Sequence, residues 1–196
     1  MKTFFWGFLL VFLNFHLNIN QHSLNLLPDF AGYLLLFQGT KELEGESGAF
    51  SDVRPFTVGM AVYTAILWVG ALLGVTSESG WLTSILNLIA MVVSLYIAWV
   101  LVQGVLEIEN RRAADLNGRR LSNRWKGLAA VQAASKLLYL MQNLANVSVL
   151  MGLAAVLVIV GLILAVLFLT AWWRSAMAYE TSLPRSPEGT TGPEEA

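Results

Sequence analysis

The chain lacks cysteine altogether and is poor in charge: of its 196 residues, 13% are Asp, Glu, Lys or Arg. The first absence excludes disulfides, thiol nucleophiles and thiolate metal sites. The second argues against a soluble domain, which carries roughly 25% charged residues to cover its surface. With a net charge of −1 and no long basic arm, the chain has no field with which to steer nucleic acid. Catalytic signatures are missing too. There is no Gly-rich phosphate loop, no G-x-S-x-G, no H-E-x-x-H and no pair of carboxylates at mid-membrane depth. Ser94 and Ser135 have no histidine at similar depth, so an intramembrane serine dyad is not expected. Neither enzymatic activity nor a cofactor is expected.

What is present is apolar. Hydrophobic residues make up 56% of the chain, and the mean hydropathy is +0.62. Six apolar runs follow one another, at residues 4–19, 24–43, 55–75, 81–106, 127–145 and 147–173. A full crossing takes about 20 apolar residues at ~1.5 Å each. The opening pair is short, and fits either a hairpin of short spans or one that does not fully cross. Lys2 ahead of the first run gives it the look of a signal peptide. No small-x-small cleavage site follows, so an uncleaved first helix is expected. Pro28 and Asp29 suit the first turn of the second helix, and Trp81 and Trp99 suit interfacial depth. The fourth helix is expected to run on through Arg112 to Leu116 and stop at Asn117-Gly118. Residues 107–126 are expected as a basic cytoplasmic loop, and the Pro-, Gly- and Glu-rich tail at 181–196 as disordered.

The basic residues give this pattern a direction. Eleven of the twelve, namely Lys2, Lys41, Arg54, Arg111, Arg112, Arg119, Arg120, Arg124, Lys126, Arg174 and Arg185, fall in termini and gaps, or for Lys41 in the last turn of the second run, that a six-span topology places on one side. The gaps at 20–23, 76–80 and 142–146 hold no Lys or Arg. Because Lys and Arg concentrate in cytoplasmic loops, the expected fold is an all-α bundle of about six transmembrane helices in three hairpins, with both termini cytoplasmic. A five-span alternative leaves 119–143 in the interface and puts the C-terminus outside.

The twelfth basic residue, Lys136, lies within an apolar run. Gln132, Ser135, Lys136, Tyr139, Gln142, Asn143 and Asn146 recur at spacings of three and four, which sets them on one helix face. Such a stripe either packs against other helices, with Lys136 snorkelling toward the interface, or lines a route for a solute or ion. The lack of an acid at matching depth weighs against the route. Arg111, Arg112, Arg119, Arg120, Arg124 and Lys126 form a basic segment that attracts anionic headgroups, at about 1 kcal/mol per residue near the surface, or merely fixes topology. Gly70-x-x-x-Gly74 and Ser148-x-x-x-Gly152 permit close helix packing, within the chain or with a second copy or another membrane protein. Asn14, His16, Asn18, Asn20 and His22 alternate, which points to an extended strand. The two histidines match no metal-ligand spacing, and no metal is expected.

The opening Asn14-Phe15, Asn18-Ile19-Asn20 and Leu26-Leu27-Pro28-Asp29-Phe30-Ala31-Gly32-Tyr33 resembles that of a loose group of small multi-span proteins from Gram-positive, largely anaerobic bacteria. The likeness covers roughly the first forty residues. It implies a bacterial cytoplasmic membrane and carries no activity with it; Pro28, Asp29, Gly32 and Tyr33 are the matching positions. The expected function is a non-enzymatic component of membrane assembly or support. The alternative is a small-solute or ion transporter, or a subunit of one, using the stripe around Lys136.

Overall fold

In an apolar solvent every backbone N–H and C=O must be satisfied within its own segment, so long apolar runs fold as helices. A computed structural model describes residues 1–12, 16–19, 22–25, 29–73, 81–145 and 149–183, with side chains over 1–12, 29–73, 83–138 and 152–183. The described residues form six helices: α1 (Lys2–Phe12), α2 (Asp29–Glu42), α3 (Gly48–Leu72), α4 (Trp81–Arg112), α5 (Gly118–Ala145) and α6 (Val149–Ser182). Between α1 and α2 lie two short antiparallel strands, β1 (His16–Ile19) and β2 (His22–Asn25), with Ile19 opposite His22. Within the alternating segment, His16–Ile19 and His22 thus take the extended form that the period of two implies. Helix α1 is described from Lys2 to Phe12; residues 13–15 of the same apolar run lie outside the described residues.

Each helix packs on its neighbours in sequence, and α6 closes against α1, so the six form a ring. Three of them, at Gly48–Leu72, Thr83–Arg112 and Gly152–Ser182, are long and apolar enough to cross a membrane. Their outward faces expose Val58, Val62 and Ile66 on α3, Ile89 and Val92 on α4, and Ile159, Leu162 and Val166 on α6. In water this much exposed aliphatic surface would be an aggregation liability; against lipid tails it is matched to its solvent. These helices give the chain a membrane location.

The core is concentrated toward one end of the ring. Phe4 and Phe8 of α1 surround Trp172 at centroid distances of 5.6 and 5.0 Å, and Phe50 of α3 stacks on Phe4 at 5.7 Å. Ile97, Leu101, Val105 and Ile108 of α4, with Leu121 and Leu128 of α5, complete it. Two glycines allow the close approaches that this needs. A Cβ on Gly32 would stand 2.7 Å from Val11 Cγ2 and 2.8 Å from the Gly7 carbonyl oxygen, and one on Gly104 would stand 2.6 Å from the Phe50 ring.

Two boundaries differ from the sequence expectation. Helix α4 stops at Arg112, where Ala113 adopts φ 51°, rather than at Asn117-Gly118. Asn117 is also left-handed (φ 57°), but it introduces α5 instead of ending α4. The expected basic loop is therefore largely helical, because Glu109 Oε2 accepts the Gly118 N–H at 2.7 Å and satisfies the start of α5. Pro55 lies inside α3 rather than at its start; Ser47 caps that helix, its Oγ accepting the Ala49 N–H at 3.2 Å. Residues 184–196, most of the expected disordered tail, lie outside the described residues.

Candidate functional site

The ends of α2, α4 and α6 meet the starts of α1, α3 and α5, and the polar side chains there interlock. Glu46, in the link between α2 and α3, is the hub. Its carboxylate accepts from both Arg112 Nε (3.1 Å) and an Arg112 terminal nitrogen, and from the Tyr179 hydroxyl at 3.0 Å. One acid therefore joins the end of α4 and the end of α6 to the α2–α3 link. Burial raises the Glu46 pKa, but the bonds from Arg112 and Tyr179 and the charges of Arg112 and Arg111 outweigh it, leaving the carboxyl below its ordinary value. Around this hub, Ser47 donates to Glu107, Lys2 pairs with Glu180 at 2.7 Å, and the Thr3 hydroxyl donates to Glu42 at 2.7 Å. Arg54 binds Glu44 and the Thr40 carbonyl, and the bond from Arg54 lowers the Glu44 pKa.

The six expected headgroup residues divide into two sets. Arg112 is engaged in the hub and Arg111 pairs with Glu107 at 3.1 Å. Arg119, Arg120 and Arg124 instead border a concavity of about 410 Å³ with Asn117, Asn123, Glu109 and Asp115. Lys126 is exposed on the next turn. This second set borders an open concavity or is exposed; the first is occupied within the protein.

The polar stripe opens into a cleft. Gln132, Ser135 and Lys136 line a cavity of about 290 Å³ with Met91 of α4 and Leu157 and Gly161 of α6. The Ser135 hydroxyl donates to the Val131 carbonyl at 2.8 Å, so its proton is committed to its own helix. The side chains of Tyr139, Gln142 and Asn143, and all of Asn146, lie outside the described residues.

In the opening motif, Gly32 lies in the α1–α2 contact and Tyr33 is buried with its hydroxyl beside Ser94 of α4. Asp29 is the first residue of α2; Pro28 lies outside the described residues. Gly32 and Tyr33 thus serve packing across the ring. The side chains of His16 and His22 are not among those described. Comparison with family models, curated proteins and solved structures finds no match for this chain. Sequence reasoning missed Glu46: one of several acids between residues 42 and 46, it carries no local signal of long-range pairing.

Proposed function

We propose that this chain is a non-enzymatic component of the bacterial cytoplasmic membrane, made of six crossing helices in three hairpins, whose role is packing and assembly. The observation that carries this reading is the Glu46 hub, which ties three helix ends at the basic side of the ring. A rigid, cross-braced end flanked by Arg119, Arg120 and Arg124 suits a scaffold held against anionic headgroups. Six spans put that end, and both termini, in the cytoplasm. A reporter fused after Ala196 tests the topology: a cytoplasmic signal is expected, and an external one overturns six spans.

A second reading, a small-solute or ion transporter or a subunit of one, is favoured by the cleft at Gln132 and Lys136. Cysteine-accessibility labelling separates the two, since the native chain has no cysteine background. A scaffold predicts that a membrane-impermeant maleimide leaves single cysteines at positions 132 and 136 unlabelled. A water-filled route predicts that both react.

A further inference from the structure

The turn between α4 and α5 sits just past the end of an apolar helix. From Trp81 to Leu106 helix α4 carries no charged residue, and Glu107 is the first. Glu109 stands three residues beyond Leu106, about 4.5 Å of rise, whereas the headgroup layer of a bilayer is about 5–8 Å deep on each side. The chain then turns back on itself: a Cβ added at Gly118 would stand 2.7 Å from Leu106 Cδ2. The start of α5 is therefore level with the end of the apolar stretch, and Arg119 and Arg120 follow at once. Arg124, a turn later, lines the same concavity of about 410 Å³. With α4 across a membrane, which its length and composition allow, this concavity lies at headgroup depth.

The concavity carries both signs of charge. Arg119, Arg120 and Arg124 bring three guanidiniums to it, and Glu109 and Asp115 two carboxylates. Among the described residues, none of the three arginines donates a hydrogen bond or forms an ion pair, with either acid or with any other group. Each acid has one oxygen committed to the backbone: Glu109 Oε2 accepts the Gly118 N–H at 2.7 Å, and Asp115 Oδ1 the Asn117 N–H at 2.9 Å. The start of α5 is thus already capped by Glu109 and is not what would draw an anion. What remains is a set of donors and a set of acceptors around one space that do not close on each other. A purely anionic head would meet the guanidiniums but also two carboxylates. A head with a phosphate and a primary ammonium suits both sets. Guanidiniums clamp phosphate oxygens through paired N–H groups, and an ammonium offers three N–H donors to carboxylate oxygens.

We propose that this concavity seats one phosphoethanolamine headgroup of a bilayer lipid, its phosphate on Arg119, Arg120 and Arg124 and its ammonium on Glu109 and Asp115. The site rests on the reading of this end of the ring as the one that meets headgroups, and adds to a diffuse attraction a fitted, saturable position. It depends on neither the six-span count nor the scaffold role, so failure of the topology reporter leaves it standing.

The test uses the full chain in dodecyl maltoside micelles, titrated with phosphatidylethanolamine, phosphatidylcholine or phosphatidylglycerol of the same acyl chains and read by native mass spectrometry. One phosphatidylethanolamine is expected to be retained, about tenfold more tightly than either of the others, as the loss of one charge-assisted hydrogen bond implies. The quaternary ammonium of phosphatidylcholine has no N–H to donate, and phosphatidylglycerol has no cation. Asp115→Asn keeps the oxygen that accepts the Asn117 N–H; it should bring phosphatidylethanolamine down toward the phosphatidylcholine level and leave phosphatidylglycerol no weaker. Arg120→Gln should weaken all three lipids. Soluble glycerophosphoethanolamine in tenfold excess should leave the lipid in place; displacement by it assigns the site to a free phosphoester and overturns the lipid. Phosphatidylglycerol bound by wild type as tightly as phosphatidylethanolamine, in several copies without saturation, overturns the fitted site and leaves the attraction to anionic headgroups standing. Equal retention of all three lipids overturns both.

Discussion

If Glu46 is the hub that locks the basic end of the ring, removing its charge while keeping its shape must loosen three helices at once. Glu46→Gln does this. Side-chain exposures of 21% for Glu46 and 26% for Arg112 set the pair between two limits. Exposed ion pairs contribute about 0–1 kcal/mol, and breaking a buried pair from one side costs about 3–5 kcal/mol. An intermediate loss of about 2 kcal/mol follows, equivalent to a fall in Tm of about 4–8 °C for a chain of this size. The assay is thermal unfolding of the purified protein in nanodiscs, with Arg112→Met and the double variant completing a cycle. Coupling of about 1–2 kcal/mol is expected between the two positions. The pH dependence has a definite sign. The folded-state pKa of Glu46 is lowered, so its contribution is fully present above the unfolded carboxyl value of about 4.3 and is lost as pH falls through the lowered folded value. Wild type should therefore lose stability on acidification below about pH 4.5 more steeply than Glu46→Gln. A Tm within a degree or so of wild type at neutral pH, with no coupling to Arg112, would refute the hub.

Other substitutions probe the packing by the same thermal assay. Gly32→Leu would drive a side chain against the backbone of α1 at Gly7 and Val11, and should cost about 1–3 kcal/mol or more. Trp172→Ala removes the ring against which Phe4 and Phe8 pack, and a loss of about 3–5 kcal/mol is expected. Ser175 is buried with a hydroxyl that finds no hydrogen-bond partner among the described residues; Ser175→Ala should raise stability by about 1 kcal/mol, since it removes an unsatisfied polar group and favours the helix.

Helices of the right number and order were legible because apolar runs and polar gaps report them directly. The strand at His16–Ile19 was legible from alternation. The end of α4 was not. Ala113 takes a positive φ that nothing in its side chain encourages, and it does so because Glu109 and Glu46 fix the chain on either side of the turn. One bond spans nine residues and the other 66, and both are invisible to a local reading that sees Asn117-Gly118 and assigns the stop there. The same blindness hid the hub, since Glu46 and Arg112 are 66 residues apart. The polar stripe was read correctly as one face of α5 from Gln132 to Lys136. That this face meets α4 and α6 in a cleft is a property of different segments.

The least helical part of the chain and its longest helices share one ring. Asn and His alternating with apolar residues from Asn14 to His22 favour an extended chain, because short polar side chains compete for backbone hydrogen bonds and the period of two does not suit a helix. The described part of α1 runs for 11 residues, about 16 Å of rise, while α4, α5 and α6 run for 32, 28 and 34 residues. A ring built from helices of unequal length cannot be filled by all of them along its whole height. Among the described residues, its core is dense where all six overlap. Lys136, costly in a uniformly packed bundle, lines a cleft between α5 and α6 with Met91 of α4.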